Sequence, residues 1–240
     1  MLLAIDVGNT NLVLALGDEA GAIEARWRIE TSVITSEAAC EAELRSTLGD
    51  AASRVDDAII ASVVPDVTPR LEAAIRAVTG VAPLIVGAPS VDLGIAVNID
   101  NPAQAGADRL VNAVGAMAHH HLPAILLDFG TATTLDLVAE DGTYEGGIIA
   151  PGVALSIEAL ERAAARLPRL DLRSFEADLP VLGKNTVAAM ETGVLWGYVG
   201  MIEGLLRRLR EEQGGTMRLP AIATGGLASL FADHLPDIDA

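Results

Sequence analysis

Short runs in which apolar and polar residues alternate give way, along this chain, to stretches in which apolar residues recur every third or fourth position. Leu2–Asn11 (LLAIDVGNTN) opens with an apolar run that ends in Asp6-Val7-Gly8. Leu12–Leu16 predicts a second strand, Gly17–Gly21 a polar turn, and Ala22–Ile29 a third strand. Glu37–Leu48 and Pro69–Val78 carry the helical spacing. Thr68 is the candidate N-cap of the second helix, Pro69 fits its first turn, and Gly80 is its stop. Between the two helices, the β-branched run Ala58–Val64 predicts a buried strand, and Leu84–Val86 predicts another. Gly106–His120 predicts a helix with Leu110, Ala113, Val114 and Met117 on one face.

The opening pattern returns half a chain later. Ile125–Thr134 (ILLDFGTATT) is again an apolar run ending in Asp-x-Gly, so Asp128 matches Asp6 and Gly130 matches Gly8. Leu135–Val138, a Glu140-Asp141-Gly142 turn and Thr143–Ala150 then repeat the meander. Ser156–Leu167 and Thr186–Glu212 predict helices; Pro220–Thr224 predicts a last strand that turns at Gly225-Gly226 into a final helix. Strands alternating with helices in two similar halves predict an α/β architecture of two related lobes, residues 1–113 and 114–240, with a cleft between them as the ligand site.

Composition narrows the function. Among 240 residues there are 33 Asp and Glu against 16 Lys and Arg, a formal net charge of −17. A general nucleic-acid binder needs a cationic face, and anionic lipid also repels such a chain. Cys40 is the single cysteine, which excludes an internal disulfide and favours a cytoplasmic setting. No apolar run reaches the roughly 20 residues of a membrane span, and Met1–Ile5 is too short for a signal peptide. We therefore expect no nucleic-acid or membrane partner.

The chemistry concentrates at the two Asp-x-Gly bends. A strand ending in Asp presents a carboxylate that can hold magnesium or its water shell. Gly8 lets the backbone turn and a phosphate approach main-chain N–H groups, while Asn9, Thr10 and Asn11 add neutral donors. One such motif is equally well a tight hairpin. Two of them suit a nucleoside triphosphate with its cations. Gly225-Gly226, after the last strand, could let a flat adenosine lie against the backbone or be a plain turn. Gly106-Ala107-Asp108-Arg109 opens a helix, where Asp108 is either a first-turn residue complementing the dipole or a general base for a substrate hydroxyl, with Arg109 anchoring an anion. Gly183-Lys184 lacks the earlier glycine of a P-loop, and Asp128-Phe129-Gly130 stands without the other protein-kinase motifs. His119-His120-His121 is read as a helix end before Pro123, and Trp196 and Tyr198 as packing.

Taken together, AIDVGNTN (4–11), ASVVPDVTP (61–69), DNPAQAGADRLVNA (100–113), LLDFGTATTLDLV (126–138), GGIIAPGVALSIEAL (146–160), LGKNTVAAMETGVLWGYVGMIEGL (182–205) and AIATGGLA (221–228) resemble the type III pantothenate kinase family of the actin/hexokinase/Hsp70-like superfamily. The resemblance implies duplicated actin-like (ribonuclease H-like) lobes. It also implies ATP-dependent phosphorylation of pantothenate to 4'-phosphopantothenate, the first step toward coenzyme A. Carried over, it makes Asp6, Val7, Gly8, Asn9, Thr10, Asn11, Leu12 and Val13 the ATP phosphate loop, with Thr131 as a further ATP contact. Asp128 would hold a monovalent metal or ammonium ion, with potassium the expected metal. Asp108 would accept the proton, and Gly106, Ala107, Asp108 and Arg109 would line the pantothenate site. Thr186 would reach that site from the second subunit of a homodimer built on Thr186–Glu212. Ile99 occupies a substrate-facing position where the family often has Tyr, so a hydroxyl contact is lost or supplied elsewhere. Thr35-Ser36-Glu37 only loosely matches the family's Thr-x-Asp-Glu, and the family usually continues beyond the helix that ends this chain. The rival reading is a transcription-accessory relative without kinase activity. Intact Asp6, Asp108 and Asp128 argue against it.

Overall fold

A computed structural model describes residues 1–163, 168–170, 179–214 and 219–240. The chain forms two compact units, Met1–Ile95 with Asp100–Gly115, and Ala96–Ile99 with Ala116–Ala240.

The first unit is built on five strands, β1 (Leu2–Val7), β2 (Asn11–Gly17), β3 (Ile23–Glu30), β4 (Asp57–Ser62) and β5 (Leu84–Ile85), in the order β3-β2-β1-β4-β5. β1, β2 and β3 form the expected antiparallel meander, and β4 joins β1 in parallel. Alternate residues Leu3, Ile5, Val7, Leu12, Leu14 and Leu16 are buried, as period-two patterning requires. They meet α1 (Glu37–Leu48) and α2 (Thr68–Thr79) through Cys40, Leu44, Leu71 and Ile75. Ser36 caps α1, its Oγ accepting the Ala39 N–H at 3.1 Å.

The N-cap of α2 is Val67, not Thr68. Val67 already has helical backbone angles, so Thr68 falls inside the first turn, and its hydroxyl donates back to Val64 O (3.1 Å) and bonds Ser62 Oγ (2.8 Å). Gly80 ends α2 in the left-handed conformation, φ 79°, as its position predicts.

The second unit repeats the plan with four strands, β6 (Ala124–Phe129), β7 (Ala132–Val138), β8 (Tyr144–Pro151) and β9 (Ala221–Thr224), in the order β8-β7-β6-β9. Again the first three form an antiparallel meander and the last joins the first in parallel. Its core sets Ile125, Leu127, Phe129 and Leu135 against α4 (Val153–Ala163), α5 (Thr186–Glu212) and α6 (Ala228–Phe231). α5 runs over the expected residues and is capped by Asn185, whose Oδ1 accepts the Ala188 N–H at 2.9 Å. α4 starts three residues before the predicted Ser156, because Gly152 follows β8 directly and Val153 begins the helix. The predicted end of that helix, residues 164–167, lies outside the described residues. The final helix is a single turn followed by a 3-10 turn.

α3 (Ala107–His119) buries Ala107, Leu110, Ala113 and Ala116, while Met117 is exposed. Met117 lies instead over Gly142, where a Cβ would come 2.8 Å from its Cε. The three histidines are exposed at its end, and among the described residues no group of three or more His, Cys, Asp and Glu could hold a metal ion.

Candidate functional site

Each unit places its Asp at the carboxyl end of the first strand. Asp6 pairs with Val13 across the hairpin and with Ala61 on the parallel strand β4. Asp128 pairs with Thr134 and with Thr224 on β9. The carboxyl ends of parallel strands are where open α/β sheets bind ligands. The duplication differs by one residue in the bend: Val7 pairs with Leu12, whereas Phe129 pairs with Thr133.

Both bends are held alike. The Gly8 N–H donates to Asn11 O at 2.9 Å, and the Gly130 N–H to Ala132 O at 3.1 Å. The glycine N–H is therefore used inside each turn. The residue directly after the third strand then ties down the threonine of the bend. Thr31 N–H donates to Thr10 O at 2.9 Å, and Gly152 N–H donates to Thr131 O at 3.1 Å.

The two anchors differ in side chain for a steric reason. Thr31 is buried and its hydroxyl donates to Gly8 O at 2.7 Å, clasping the bend at a second point. A Cβ on Gly152 would lie 2.2 Å from Thr131 O and 2.6 Å from Gly130 O, so only glycine fits there. Neither Thr31 nor Gly152 belongs to a motif that the sequence marks by itself. The available signal was a small or hydroxyl residue immediately after each meander.

Asp6 is exposed at its strand end, and Asp128 is half-buried. Gly225, at φ 96°, passes so close to Asp128 that a Cβ would lie 2.5 Å from Oδ1. Gly225, the first of the two glycines after β9, thus makes room for the Asp128 carboxylate.

Asp108 stands in the first turn of α3. Its Oδ1 accepts the Arg109 N–H at 2.8 Å, which fixes the carboxylate at the helix entrance. A Cβ on Gly106 would lie 2.5 Å from that same Oδ1, so Gly106 is the residue that permits this orientation. Ala107 packs with Ala61 and Val86. Since Ala61 is the register partner of Asp6, Asp108 is brought to the same end of the first sheet as Asp6. Asp100–Pro102 is exposed just before α3, with Asn101 Oδ1 accepting the Ala103 N–H.

Ile99 is half-buried and lies against β8, where a Cβ on Gly146 would meet its Cγ2 at 3.2 Å. Its segment is pinned to β8 by Tyr144 N–H to Ala96 O and Asn98 N–H to Tyr144 O, both 2.8 Å. Thr186 is exposed at the start of α5. Asp6, Val7–Val13 and Gly106–Arg109 therefore belong to the first unit, and Ile99, Asp128, Thr131 and Thr186 to the second. A cavity of about 750 Å³ in the second unit is lined by Leu137, Ala139, Ile148 and Leu209, at the opposite end of β6 and β7 from Asp128.

The family model for type III pantothenate kinase matches residues 2–208. The chain belongs to the type III pantothenate kinase family. Proteins bearing that name from Paramagnetospirillum magneticum and Caulobacter vibrioides are each 46% identical, with 100% of this chain and 91% of the relative covered. One from Rhodospirillum rubrum is 47% identical over 97% of this chain and 90% of the relative.

Among solved structures, the family member resembles a Campylobacter jejuni protein described as a Baf family transcriptional activator (TM-score 0.61, 15% identity, 98% of this chain and 89% of that one). It also resembles a Sinorhizobium meliloti protein described as a 2-dehydro-3-deoxygalactonokinase (TM-score 0.55, 16% identity, 100% and 90%). At these identities the likeness shows the fold: the two related α/β lobes that the sequence pattern predicted, in the duplicated actin-like form that the family resemblance implied.

Proposed function

We propose that this family member transfers the γ-phosphoryl group of ATP to the primary hydroxyl of pantothenate, giving 4'-phosphopantothenate on the way to coenzyme A. Phosphoryl transfer needs in-line positioning and charge stabilisation more than covalent catalysis. The observation that carries the reading is the fixed Asp108 carboxylate at the same end of the first sheet as Asp6. Asp108 takes the hydroxyl proton as the oxygen attacks phosphorus. Arg109 and the Gly106–Ala107 backbone line the acceptor site. Asp6 through Val13 hold the phosphates, with Thr131 as a further contact.

The donor sets suit the cations such a reaction uses. At Asp128, where Gly225 leaves room around the carboxylate, one negative charge suits a monovalent ion, potassium or ammonium. Magnesium prefers one or two carboxylates plus phosphates and water, which fits Asp6. Bound cations would offset phosphate charge in a chain of net charge −17.

The functional lobes are residues 1–113 and 114–240, and the working form is a cytoplasmic homodimer in which Thr186 completes the acceptor site of the second subunit. Among the described residues, no helix is long and apolar enough to cross a membrane. The transcription-accessory reading leaves Asp6, Asp108 and Asp128 without a role. The test is ADP release in a coupled assay. Turnover that requires pantothenate, magnesium and potassium or ammonium is expected, and folded protein without it overturns the proposal.

A further inference from the structure

The chain has only seven Phe, Trp and Tyr residues, and three of them meet at the second bend. Phe129 follows Asp128 in β6. Its ring stacks on Phe231 with centroids 5.5 Å apart and planes 10° apart. The Tyr198 ring, from the middle of α5, lies 4.6 Å from Phe231 and 6.2 Å from Phe129. All three are buried.

A phenylalanine would fill the Tyr198 place equally well as packing. The hydroxyl instead bonds Thr133 Oγ1, which is itself fully buried. Thr133 is the register partner of Phe129, so it closes the bend that carries Asp128 and Thr131. One hydroxyl thus ties α5 to the closing pair of the bend. Burial also pushes the Tyr198 pKa up, keeping the phenol protonated.

We propose that Tyr198 is a positioning residue for the nucleotide- and cation-binding bend, acting through Thr133. The proposal rests on the kinase reading above, in which Asp128 and Thr131 face the cation and ATP.

The test compares wild type, Tyr198→Phe, Thr133→Val and the double variant. Read-outs are kcat, KM for ATP and for pantothenate, binding of a non-hydrolysable ATP analogue by calorimetry, and Tm. Tyr198→Phe is expected to raise the ATP KM and weaken analogue binding by about five- to twentyfold, the scale of one lost hydrogen bond, with the pantothenate KM within about twofold. Each single variant orphans a buried partner and lowers Tm, whereas the double variant leaves none and regains Tm. Its ATP KM stays high if the hydroxyl positions the bend. If the double variant regains ATP affinity along with Tm, or if both substrates' KM values rise together, Tyr198 is only packing and the proposal is overturned. Wild type lacking turnover overturns the kinase reading and this proposal with it; turnover with an unmoved ATP KM in Tyr198→Phe overturns this proposal alone.

Discussion

Gly225 and Asp128 sit so close that a single added methyl at the glycine would lie 2.5 Å from the carboxylate Oδ1. That atom would also lie 2.6 Å from the Phe129 N, so backbone as well as side chain would have to give way. Gly225→Ala adds the strain of a φ of 96°. We expect a stability loss of about 1–3 kcal/mol, read as a drop of several degrees in Tm. We also expect a raised requirement for the monovalent cation. An unchanged Tm and cation dependence would contradict the crowding.

Asp108→Asn keeps an Oδ1 acceptor for the Arg109 N–H, so the helix entrance should stay intact. What it removes is the basic carboxylate. Turnover is expected to fall about 10²–10⁴-fold with little change in the ATP KM or in Tm. A near-normal rate would place the base elsewhere.

Thr31 offers a check on the first bend that is independent of the acceptor side. Thr31→Val removes the hydroxyl that clasps Gly8 O but retains the N–H to Thr10 O. A half-buried carbonyl left with one partner fewer should cost about 1 kcal/mol and weaken ATP binding in calorimetry. Unaltered ATP affinity would show that the clasp does not shape the phosphate loop.

Cys40 supplies a pH-dependent term in stability. Burial pushes its thiol up to about 11 from an ordinary 9.0. The folded value exceeds the unfolded one, so this contribution is full below pH 9.0 and is lost as pH climbs toward about 11. Stability measured by denaturant titration should fall more steeply across that window in wild type than in Cys40→Ala. The thiol should also resist a disulfide reagent at pH 8 until the protein is unfolded. Equal pH slopes for the two proteins would remove the thiol from the account.

The proposed homodimer is tested by light scattering at assay concentration, where twice the chain mass is expected. Thr186→Ala should then raise the pantothenate KM more than the ATP KM. A monomer that turns over normally would remove the second subunit from the site.

Much of the fold lies in the local pattern. Period-two runs ending at Asp6 and Asp128, and helical spacing over Glu37–Leu48 and Thr186–Glu212, mark elements whose ends are set by neighbouring residues such as Ser36 and Asn185. Local pattern failed where a neighbour in space decided. Thr68 reads as a cap only until the preceding turn is seen to be helical already. Met117 reads as core only until the alanines are seen to do the packing.

The sequence by itself determined two meanders with a carboxylate at each first bend, because alternation and turn chemistry act over a few residues. Tertiary structure alone decided that Ala107 would meet Ala61 and so carry Asp108 toward Asp6, that Gly152 and Gly225 would have no room for a side chain, and that Tyr198 would reach Thr133. Those contacts join residues far apart in the chain. An apolar or small residue announces which face will be buried, but the partner it meets there is set only when the sheets and helices close on one another.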